Sequence, residues 1–223
     1  MEIVKSKFEG IFFIENGMKK LLTRNITPGL KFFDEELYEN GAYRQFDHRR
    51  SKLAAAIMKG LSQWPFRKDS VMLYLGASHG YTCSFLSDIL HEGLIFAIDF
   101  APRVVRDLVF LAEQRKNIGA ILADANNPYS YLHKVSQADI VYQDVAQRNQ
   151  AEIFLKNCRI LLKPEGFGFI AVKARSVDVT KKPKIIFKET REMLEKELVI
   201  VDYKELEPFE KAHAMFVCKK KNQ

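Results

Sequence analysis

The hydrophobic and polar positions form their clearest pattern in the first half of the chain. Residues 71–75 are a short apolar run, typical of a buried strand, and residues 94–98 are a second one that ends in Asp99. Between them lie Gly76, Gly80 and a segment whose apolar residues recur at helical spacing. The pattern predicts a strand, a glycine turn, a helix and a second strand with a carboxylate at its tip. In such a unit the turn lets the backbone approach a nucleotide, and the carboxylate accepts hydrogen bonds from ribose hydroxyls.

The rest of the chain beyond residue 46 alternates helical and strand patterns in the same way. The predicted elements are a helix capped by Ser51 or Asp47 and ended by Trp64-Pro65, a helix from Ala101-Pro102 with Val109 on its apolar face, strands at 120–124, 139–144 and 167–172, a turn at 163–166, helices at 128–135, 150–162 and 184–196, and final strands at 198–203 and 214–218. Strands that alternate with helices predict an α/β, doubly wound sheet. The last two strands, joined without a helix, predict an antiparallel hairpin at its edge. That hairpin is typical of the Rossmann-like methyltransferase fold, which has a mostly parallel seven-stranded sheet.

Residues 1–46 follow a different pattern. Short strand-like runs alternate there with turn signals, of which Asn16-Gly17 is a strong hairpin marker. We predict a small antiparallel, β-rich N-terminal subdomain. It has too little apolar sequence to fold alone, so we expect it to pack on the methyltransferase domain, residues 47–223.

Composition narrows the class of protein. Of the 223 residues, 47% are hydrophobic, which fits one globular core with a small appendage. No apolar run approaches the ~20 residues that span a bilayer, and the N-terminus has no signal segment. The three cysteines are scattered without metal-ligand spacing, which predicts a cytoplasmic protein with no metal site. A net charge of +7 favours a polyanionic partner.

Charged residues end four successive predicted strands. Asp99, Asp124 and Asp144 are the last residues of three of them, and Lys173 directly follows the next. Ligands of open α/β sheets bind at this edge. One aspartate at such a place is often only a helix cap or a turn former. Three of them with a lysine predict a binding site.

The spacing of the glycines indicates which ligand to expect. A dinucleotide site usually has three glycines, because a pyrophosphate must sit on the helix N-terminus. Only Gly76 and Gly80 are present in this turn. The looser turn suits a nucleoside ligand without phosphates, such as S-adenosylmethionine. The alternative is plain turn chemistry.

Several blocks of the chain together resemble the fibrillarin family, the methyltransferase subunit of box C/D guide-RNA particles. The most specific block is Tyr142-Gln143-Asp144-Val145-Ala146-Gln147, and the others are residues 50–57, 73–78, 99–103, 121–125, 149–152 and 172–176. The resemblance covers essentially the whole chain. Without a glycine- and arginine-rich N-terminal extension, the chain is similar to the short archaeal form.

The resemblance implies roles for individual residues. S-adenosylmethionine would lie over Gly76, Ala77 and Gly80, with Thr82 at its methionine, Asp99 at its ribose, Phe100 on the adenine face, Asp124 and Ala125 at the adenine edge, and Asp144 and Gln147 near the methionine end. The family also has a catalytic set of two lysines, an aspartate and a histidine, which maps to Lys52, Asp144, Lys173 and His213.

The sequence departs from the family at several positions. His79 and Tyr81 stand where small residues are usual, so we expect a reshaped methionine pocket. Ala212 stands where an aspartate usually precedes the histidine. Phe46 and His48 replace a usual tryptophan and a usual proline.

The chemistry of the reaction suggests a base. A ribose hydroxyl is a poor nucleophile at neutral pH, so a group that removes its proton is useful. A second lysine nearby and partial burial both disfavour a charged ammonium. We therefore predict Lys173 as the base, with Asp144 orienting both lysines or attracting the positive cofactor. Lys52 is alternatively a solvated helix start or a phosphate contact, and His213 a strand-edge histidine without a catalytic role.

The predicted function is guide-RNA-directed ribose 2′-O-methylation of rRNA, and also of tRNA. The resemblance implies a box C/D guide RNA, a Nop-type scaffold protein and a kink-turn-binding protein of the ribosomal type as partners. We expect the small subdomain and the adjoining helices to form the docking surface. Two alternatives are a noncatalytic scaffold protein of an RNA particle and a nicotinamide-dependent oxidoreductase. The complete catalytic set disfavours the first, and the missing middle glycine disfavours the second.

Overall fold

Two β-sheets organise the chain, which the computed structural model describes over residues 2–14 and 19–221. The first is an antiparallel five-stranded sheet with the strand order β1–β2–β3–β5–β4. Its strands are β1 (Ile3–Lys5), β2 (Ile11–Ile14), β3 (Lys20–Arg24), β4 (Leu37–Tyr38) and β5 (Tyr43–Gln45). All five fall within residues 1–46, and the division into 1–46 and 47–223 stays our proposal. The predicted hairpin marker Asn16-Gly17 lies outside the described residues.

The second sheet has seven strands in the order β11–β12–β10–β9–β6–β7–β8. Its strands are β6 (Val71–Leu75), β7 (Leu94–Asp99), β8 (Ile118–Leu122), β9 (Ala138–Gln143), β10 (Leu162–Lys173), β11 (Leu198–Glu205) and β12 (His213–Lys220). The strands β6 to β10 pair in parallel, whereas β12 pairs antiparallel with both β10 and β11. The mostly parallel Rossmann-like methyltransferase fold and its antiparallel edge hairpin are therefore confirmed.

Within the described ranges, six α-helices connect these strands. They are α1 (Lys52–Met58), α2 (Tyr81–Ile89), α3 (Pro102–Gln114), α4 (Gln150–Leu161), α5 (Ala174–Val177) and α6 (Pro183–Glu195). Ser51 caps α1, as one of the two predictions has it. The prediction that this helix runs on to Trp64-Pro65 is wrong. Gly60, with a φ of 78°, closes the helix in a Schellman motif, in which Leu61 N–H donates to the Ala56 carbonyl at 3.0 Å.

Other predicted elements differ in their limits. The segment 128–135 forms two short 3₁₀ turns, Pro128–Ser130 and Leu132–Lys134, instead of a helix. The predicted turn at 163–166 lies inside β10, as an irregular stretch where the register with β9 shifts. Val109 is 40% exposed, because the apolar face of α3 continues from Leu108 to Leu111 instead.

The side chains of the large sheet alternate between two apolar clusters, one on each face. On β6, Met72 and Tyr74 belong to the first cluster, and Leu73 and Leu75 to the second. The first cluster also contains side chains of the N-terminal region: Phe8, Ile11 and Leu21. The small sheet therefore packs on the large one through a shared core, as its short apolar runs predict.

A buried ionic network also joins the two sheets. Asp88 on α2 accepts hydrogen bonds from Arg44 on β5 at 3.0 Å and from Arg115 at 2.6 Å, and all three side chains are fully buried. Thr23 on β3 donates to the same carboxylate at 2.7 Å. Arg44 also pairs with Glu35 at 2.9 Å. Burial acts to raise the pKa of Glu35, but the charge of Arg44 holds it below its usual value.

Replacing Asp88 with Ala is expected to lower the free energy of unfolding by ~3–5 kcal/mol, because it leaves two guanidinium groups buried without this counter-ion. Urea unfolding followed by circular dichroism measures the change. The control is Glu197→Ala, which breaks a surface pair with Arg159 at 2.6 Å and is expected to cost at most ~1 kcal/mol. Equal costs for both variants would contradict a role of the network in joining the sheets.

Candidate active site

The carboxyl ends of β6 and β9 lie side by side and define the site. Gly76, which follows β6, has a φ of 78°, and a Cβ there would lie 2.5 Å from the main-chain oxygen of Asp144. A larger residue would push the two strand ends apart. The N–H groups of Gly76 and Ala77 donate to the Ile98 carbonyl of β7 at 2.9 and 3.0 Å. Three neighbouring strand ends are thus joined at the predicted edge of the sheet.

Two adjoining cavities open at this edge. The larger, of about 700 Å³ and here called the lysine cavity, is lined by the whole predicted catalytic set, Lys52, Asp144, Lys173 and His213. The smaller, of about 370 Å³ and here called the Asp99 cavity, is lined by six predicted cofactor residues, of which Asp99, Phe100, Ala125 and Gln147 line this cavity alone. The residues that line both are Gly76, Ser78, Asp144 and Ala146. A third cavity, of about 710 Å³, lies at the opposite ends of β6 and β10 and contains none of the predicted site residues.

The Asp99 carboxylate is fixed by two main-chain groups. Ser78 N–H donates to Oδ2 at 3.0 Å, and Ala101 N–H donates to Oδ1 at 3.1 Å. An ionised carboxylate offers about four lone-pair sites, so about two remain for further donors. Phe100 beside it is 64% exposed and lines the same cavity. This corner can therefore hold a polar hydroxyl pair next to a flat apolar group.

Two of the predicted cofactor residues line neither cavity. Gly80 is the N-cap of α2, and a Cβ there would meet side chains of α3, so it shapes the turn. Asp124 lies exposed beyond the end of β8, and its Oδ1 accepts the N–H of Asn126 at 2.9 Å. The structure thus brings Ala125 and Gln147 to the Asp99 cavity and leaves Asp124 at its flank.

Lys52 and Asp144 form an ion pair inside the lysine cavity. The distance between Lys52 Nζ and Asp144 Oδ2 is 2.8 Å. Burial acts to lower the pKa of Lys52, but the charge and the hydrogen bond of Asp144 outweigh it, and the pKa lies above its usual value. Lys52 is therefore a charged hydrogen-bond donor at neutral pH. It can orient an oxygen atom and cannot take a proton from it.

His213 lies opposite Lys173 in the antiparallel pairing of β10 with β12. Its Nδ1 lies 2.8 Å from the Lys211 carbonyl, so Nδ1 carries a proton and donates, which leaves Nε2 as an acceptor. Burial and the nearby charge of Lys52 hold the pKa of His213 below its usual value. The ring is therefore neutral at pH 7. With Ala212 in place of an aspartate, a main-chain carbonyl orients it.

Lys173 ends β10, and a buried glutamine holds its backbone. Gln150, which is 1% exposed, accepts the Lys173 N–H at 3.0 Å and donates to the Lys173 carbonyl at 3.2 Å. Gln143 in turn donates to the Gln150 carbonyl at 2.7 Å. The strand ends that carry Asp144 and Lys173 are therefore linked through two buried amides. The side chain of Lys173 is exposed, so the prediction of partial burial is wrong.

Thr82 connects the glycine turn to the start of α1. Its hydroxyl donates to Ser51 Oγ at 3.0 Å, and the same oxygen caps α1 by accepting the Ala54 N–H. Lys52 is the first residue of that helix. The contact between Thr82 and Ser51 therefore fixes the position of Lys52 relative to the glycine turn, which lines both cavities.

The sequence pattern does not reveal the residues that hold the site in place. In the sequence, Gln150 is recognised only as the start of α4, and Ser51 only as the cap of α1. The one local signal is Gln143, a polar residue that directly follows the apolar residues 140–142 at the end of β9, because a buried amide needs hydrogen-bond partners. Glu210, 3.7 Å from His213 Nδ1, also lines the lysine cavity and has no local signal.

Three further observations concern the predicted metal content, membrane segments and cysteines. Among residues 2–14 and 19–221, no three His, Cys, Asp or Glu side chains form a group that could hold a metal ion. No helix in these ranges is long and apolar enough to cross a membrane. Cys83, Cys158 and Cys218 are all buried free thiols.

The chain is similar to known proteins over nearly its whole length. The sequence profile of one family, fibrillarin, matches residues 3–222. A fibrillarin-like rRNA/tRNA 2′-O-methyltransferase of Methanocaldococcus jannaschii is 49% identical over 224 residues, which cover 97% of each chain.

Solved structures of the same kind superpose closely. Fibrillarin of Aeropyrum pernix, in complex with natively bound S-adenosyl-L-methionine, has a TM-score of 0.90 and 38% identity and covers 98% of each chain. A fibrillarin from a complex with Nop5p has a TM-score of 0.90 and 34% identity, covering 97% of this chain and 100% of that one.

Replacing Asp144 with Asn is expected to lower the pKa of Lys52 below its usual value of ~10.4, because burial then acts without the opposing charge. Isotope-labelled reductive methylation of lysines with an NMR titration measures this pKa, and Lys52→Arg assigns the signal. The control is Lys181, whose pKa is raised by a hydrogen bond to Glu189 and which should titrate alike in both proteins. If Lys52 also titrates at an unchanged pH, Asp144 does not set its charge.

Proposed function

Because the chain belongs to the fibrillarin family, we propose that it is an S-adenosylmethionine-dependent RNA ribose 2′-O-methyltransferase that acts on rRNA and tRNA. It would serve as the catalytic subunit of a box C/D guide-RNA ribonucleoprotein. The observation that carries the proposal is the convergence of Lys52, Asp144, Lys173 and His213 in the lysine cavity, beside the Asp99 cavity. A noncatalytic scaffold would not require this convergence.

The residues of the Asp99 cavity fit S-adenosylmethionine. Asp99 keeps lone pairs for two ribose hydroxyls, and Phe100 offers its exposed ring to a flat adenine. Ala125 and Gln147 complete this side, with Asp124 at its flank. The methionine part would lie over the residues shared by both cavities and near Ala77 and Thr82: Gly76, Ser78, Asp144 and Ala146. Bound there, the cofactor supplies a methyl group on a positively charged sulfur.

The chain's own residues have to align the ribose 2′-hydroxyl and remove its proton. Lys52, charged and fixed by Asp144, would donate a hydrogen bond to the hydroxyl oxygen. We assign the base to Lys173, whose side-chain nitrogen would take the proton from the 2′-hydroxyl as its oxygen accepts the methyl group. Neutral His213 would accept a hydrogen bond from the resulting ammonium through Nε2.

The net charge of the chain can attract RNA but cannot select a target, so we expect partners. A net charge of +7 attracts RNA, but phosphate contacts carry no direct sequence information. We therefore propose that base pairing to a box C/D guide RNA selects the target ribose. A Nop-type scaffold protein would recruit the chain, and the solved complex of a fibrillarin with Nop5p supports such a partner. We place the docking surface on residues 1–46 and the adjoining helices. A kink-turn-binding protein of the ribosomal type would complete the particle.

The cellular compartment is also part of the proposal. The three buried thiols suit a reducing environment, where disulfides do not persist. We place the protein in the cytoplasm.

Reconstitution tests the proposed function. Transfer of a labelled methyl group to a guide-complementary RNA is measured for the chain alone, and then with the guide RNA and both partner proteins. We expect little transfer by the chain alone and site-selective transfer by the full assembly. Efficient, site-selective methylation by the chain alone would mean that the protein itself reads the RNA.

Two further outcomes separate the alternatives. Stabilisation against heat by S-adenosylmethionine and not by NAD excludes the oxidoreductase. A full assembly that binds the cofactor but transfers no methyl group would favour the noncatalytic scaffold.

Replacing Lys173 with Ala is expected to lower the transfer rate of the assembly by ~100- to 10,000-fold, the range for a lost base. Cofactor affinity should stay within a few-fold, since Lys173 does not line the Asp99 cavity. Single-turnover rates and calorimetric titration measure the two quantities. The matched control is Lys188→Ala, which removes an exposed lysine on α6.

A further pair of variants distinguishes loss of the Lys173 side chain from its displacement. Gln150→Leu keeps Lys173 but removes both hydrogen bonds to its backbone, and a misplaced base costs up to ~100-fold in rate. Gln150→Glu keeps the acceptor and should recover part of that loss. Wild-type rates in Lys173→Ala would assign the proton transfer to another group.

A further inference from the structure

The lysine cavity extends to a rim that the proposed chemistry does not use. Four of its lining residues form this rim, two arginines and two aromatic residues: Phe33, Arg49, Arg50 and Tyr81. Both arginines are exposed. Arg50 precedes Lys52 by two positions, so the rim and the reacting region are joined by the start of α1.

The two arginines differ in what holds them. Arg49 is bound by Asp47, with its Nη2 at 2.9 Å from a carboxylate oxygen. The Arg50 guanidinium lies over the Tyr81 ring, 4.3 Å from its centroid, and 6.0 Å from that of Phe33. Within residues 2–14 and 19–221, its side chain makes no ion pair and donates no hydrogen bond. Arg50 is thus a preoriented cation whose donors are free.

We propose that Arg50 binds a phosphodiester group of the RNA strand next to the ribose that is methylated. A planar guanidinium matches phosphate with two parallel hydrogen bonds, and stacking on Tyr81 reduces the freedom that binding must remove. This inference rests on the proposed function, because it needs an RNA strand in the lysine cavity.

The position of Arg50 favours RNA over the carboxylate of the cofactor as the anion. Arg50 does not line the Asp99 cavity, whereas Lys52 already places a cation inside the lysine cavity, beside the shared Asp144. Arg50 lies at the exposed rim of the lysine cavity. An RNA strand whose ribose enters the lysine cavity would therefore bring an adjacent phosphate within reach of Arg50.

The first experiment compares variants in the reconstituted assembly. Arg50→Ala is expected to lower the single-turnover transfer rate by about 10- to 100-fold, the range for a lost charge-assisted hydrogen bond. Arg50→Lys should recover only part, because it lacks the planar fork. Calorimetric titration of the free chain with S-adenosylmethionine should give an affinity within about twofold of wild type for both variants, since the cofactor carboxylate is not the proposed partner.

The control is Arg159→Ala, which removes the same charge from an exposed side chain on α4 that pairs with Glu197 and lines neither the lysine cavity nor the Asp99 cavity. It should leave both the rate and the affinity unchanged. Thermal unfolding midpoints of all variants verify that each is folded.

The second experiment identifies the phosphate. Target RNAs carry a neutral methylphosphonate at one position at a time on either side of the methylated nucleotide. One of these should slow the wild-type assembly about as much as Arg50→Ala does, and should have little further effect in that variant. Such non-additivity is the signature of a direct pair.

Each outcome decides a different claim. Neutral linkages that slow wild type and Arg50→Ala by equal factors overturn the inference. A cofactor affinity that falls as much as the rate assigns Arg50 to the cofactor carboxylate and also overturns it. A wild-type assembly that transfers no methyl group overturns the proposed function, and this inference with it.

Discussion

The buried carboxylate of Asp88 is the constraint on which the arrangement of the two sheets depends. An ion removed from water keeps its charge only where opposite charges and hydrogen bonds replace the solvent. Asp88 meets this condition with two arginines from different parts of the chain, Arg44 on β5 and Arg115 after α3. Because α2 carries Asp88 and begins directly after the glycine turn, the network also fixes the turn that lines both cavities. The small sheet therefore supports the site as well as the core.

Surroundings, more than residue type, determine the state of each basic group in the lysine cavity. Lys52 is largely buried, yet it stays charged because a carboxylate lies 2.8 Å away. His213 is buried against a main-chain carbonyl and stays neutral. Lys173 is exposed, and its position is set through the backbone by Gln150. One cavity thus holds a charged donor, a neutral imidazole and an exposed lysine.

The strands and the polar residues at their ends can be predicted well from the sequence. A short apolar run is a local signal, and the carboxyl ends of parallel strands lie at one edge of the sheet. Asp99 and Asp144 are found there for that reason. The contacts between distant segments could not be predicted. Arg44 and Asp88 meet across 44 positions, and such a pair has no periodic signature. The burial of Lys52 and the exposure of Lys173 could not be predicted from the sequence either, since they depend on how α1 packs over the end of the sheet.

The buried cysteines have a practical consequence for work on this protein. Burial raises the pKa of Cys83 and of Cys218 to about 12, and raises that of Cys158 well above its usual value. The thiolate is the form that reacts with alkylating agents and oxidants, so all three are inert at neutral pH while the chain is folded. A cysteine introduced at a surface position would then be the one that takes up a fluorophore or a spin label. The native chain is a ready background for following its docking into a larger assembly by spectroscopy.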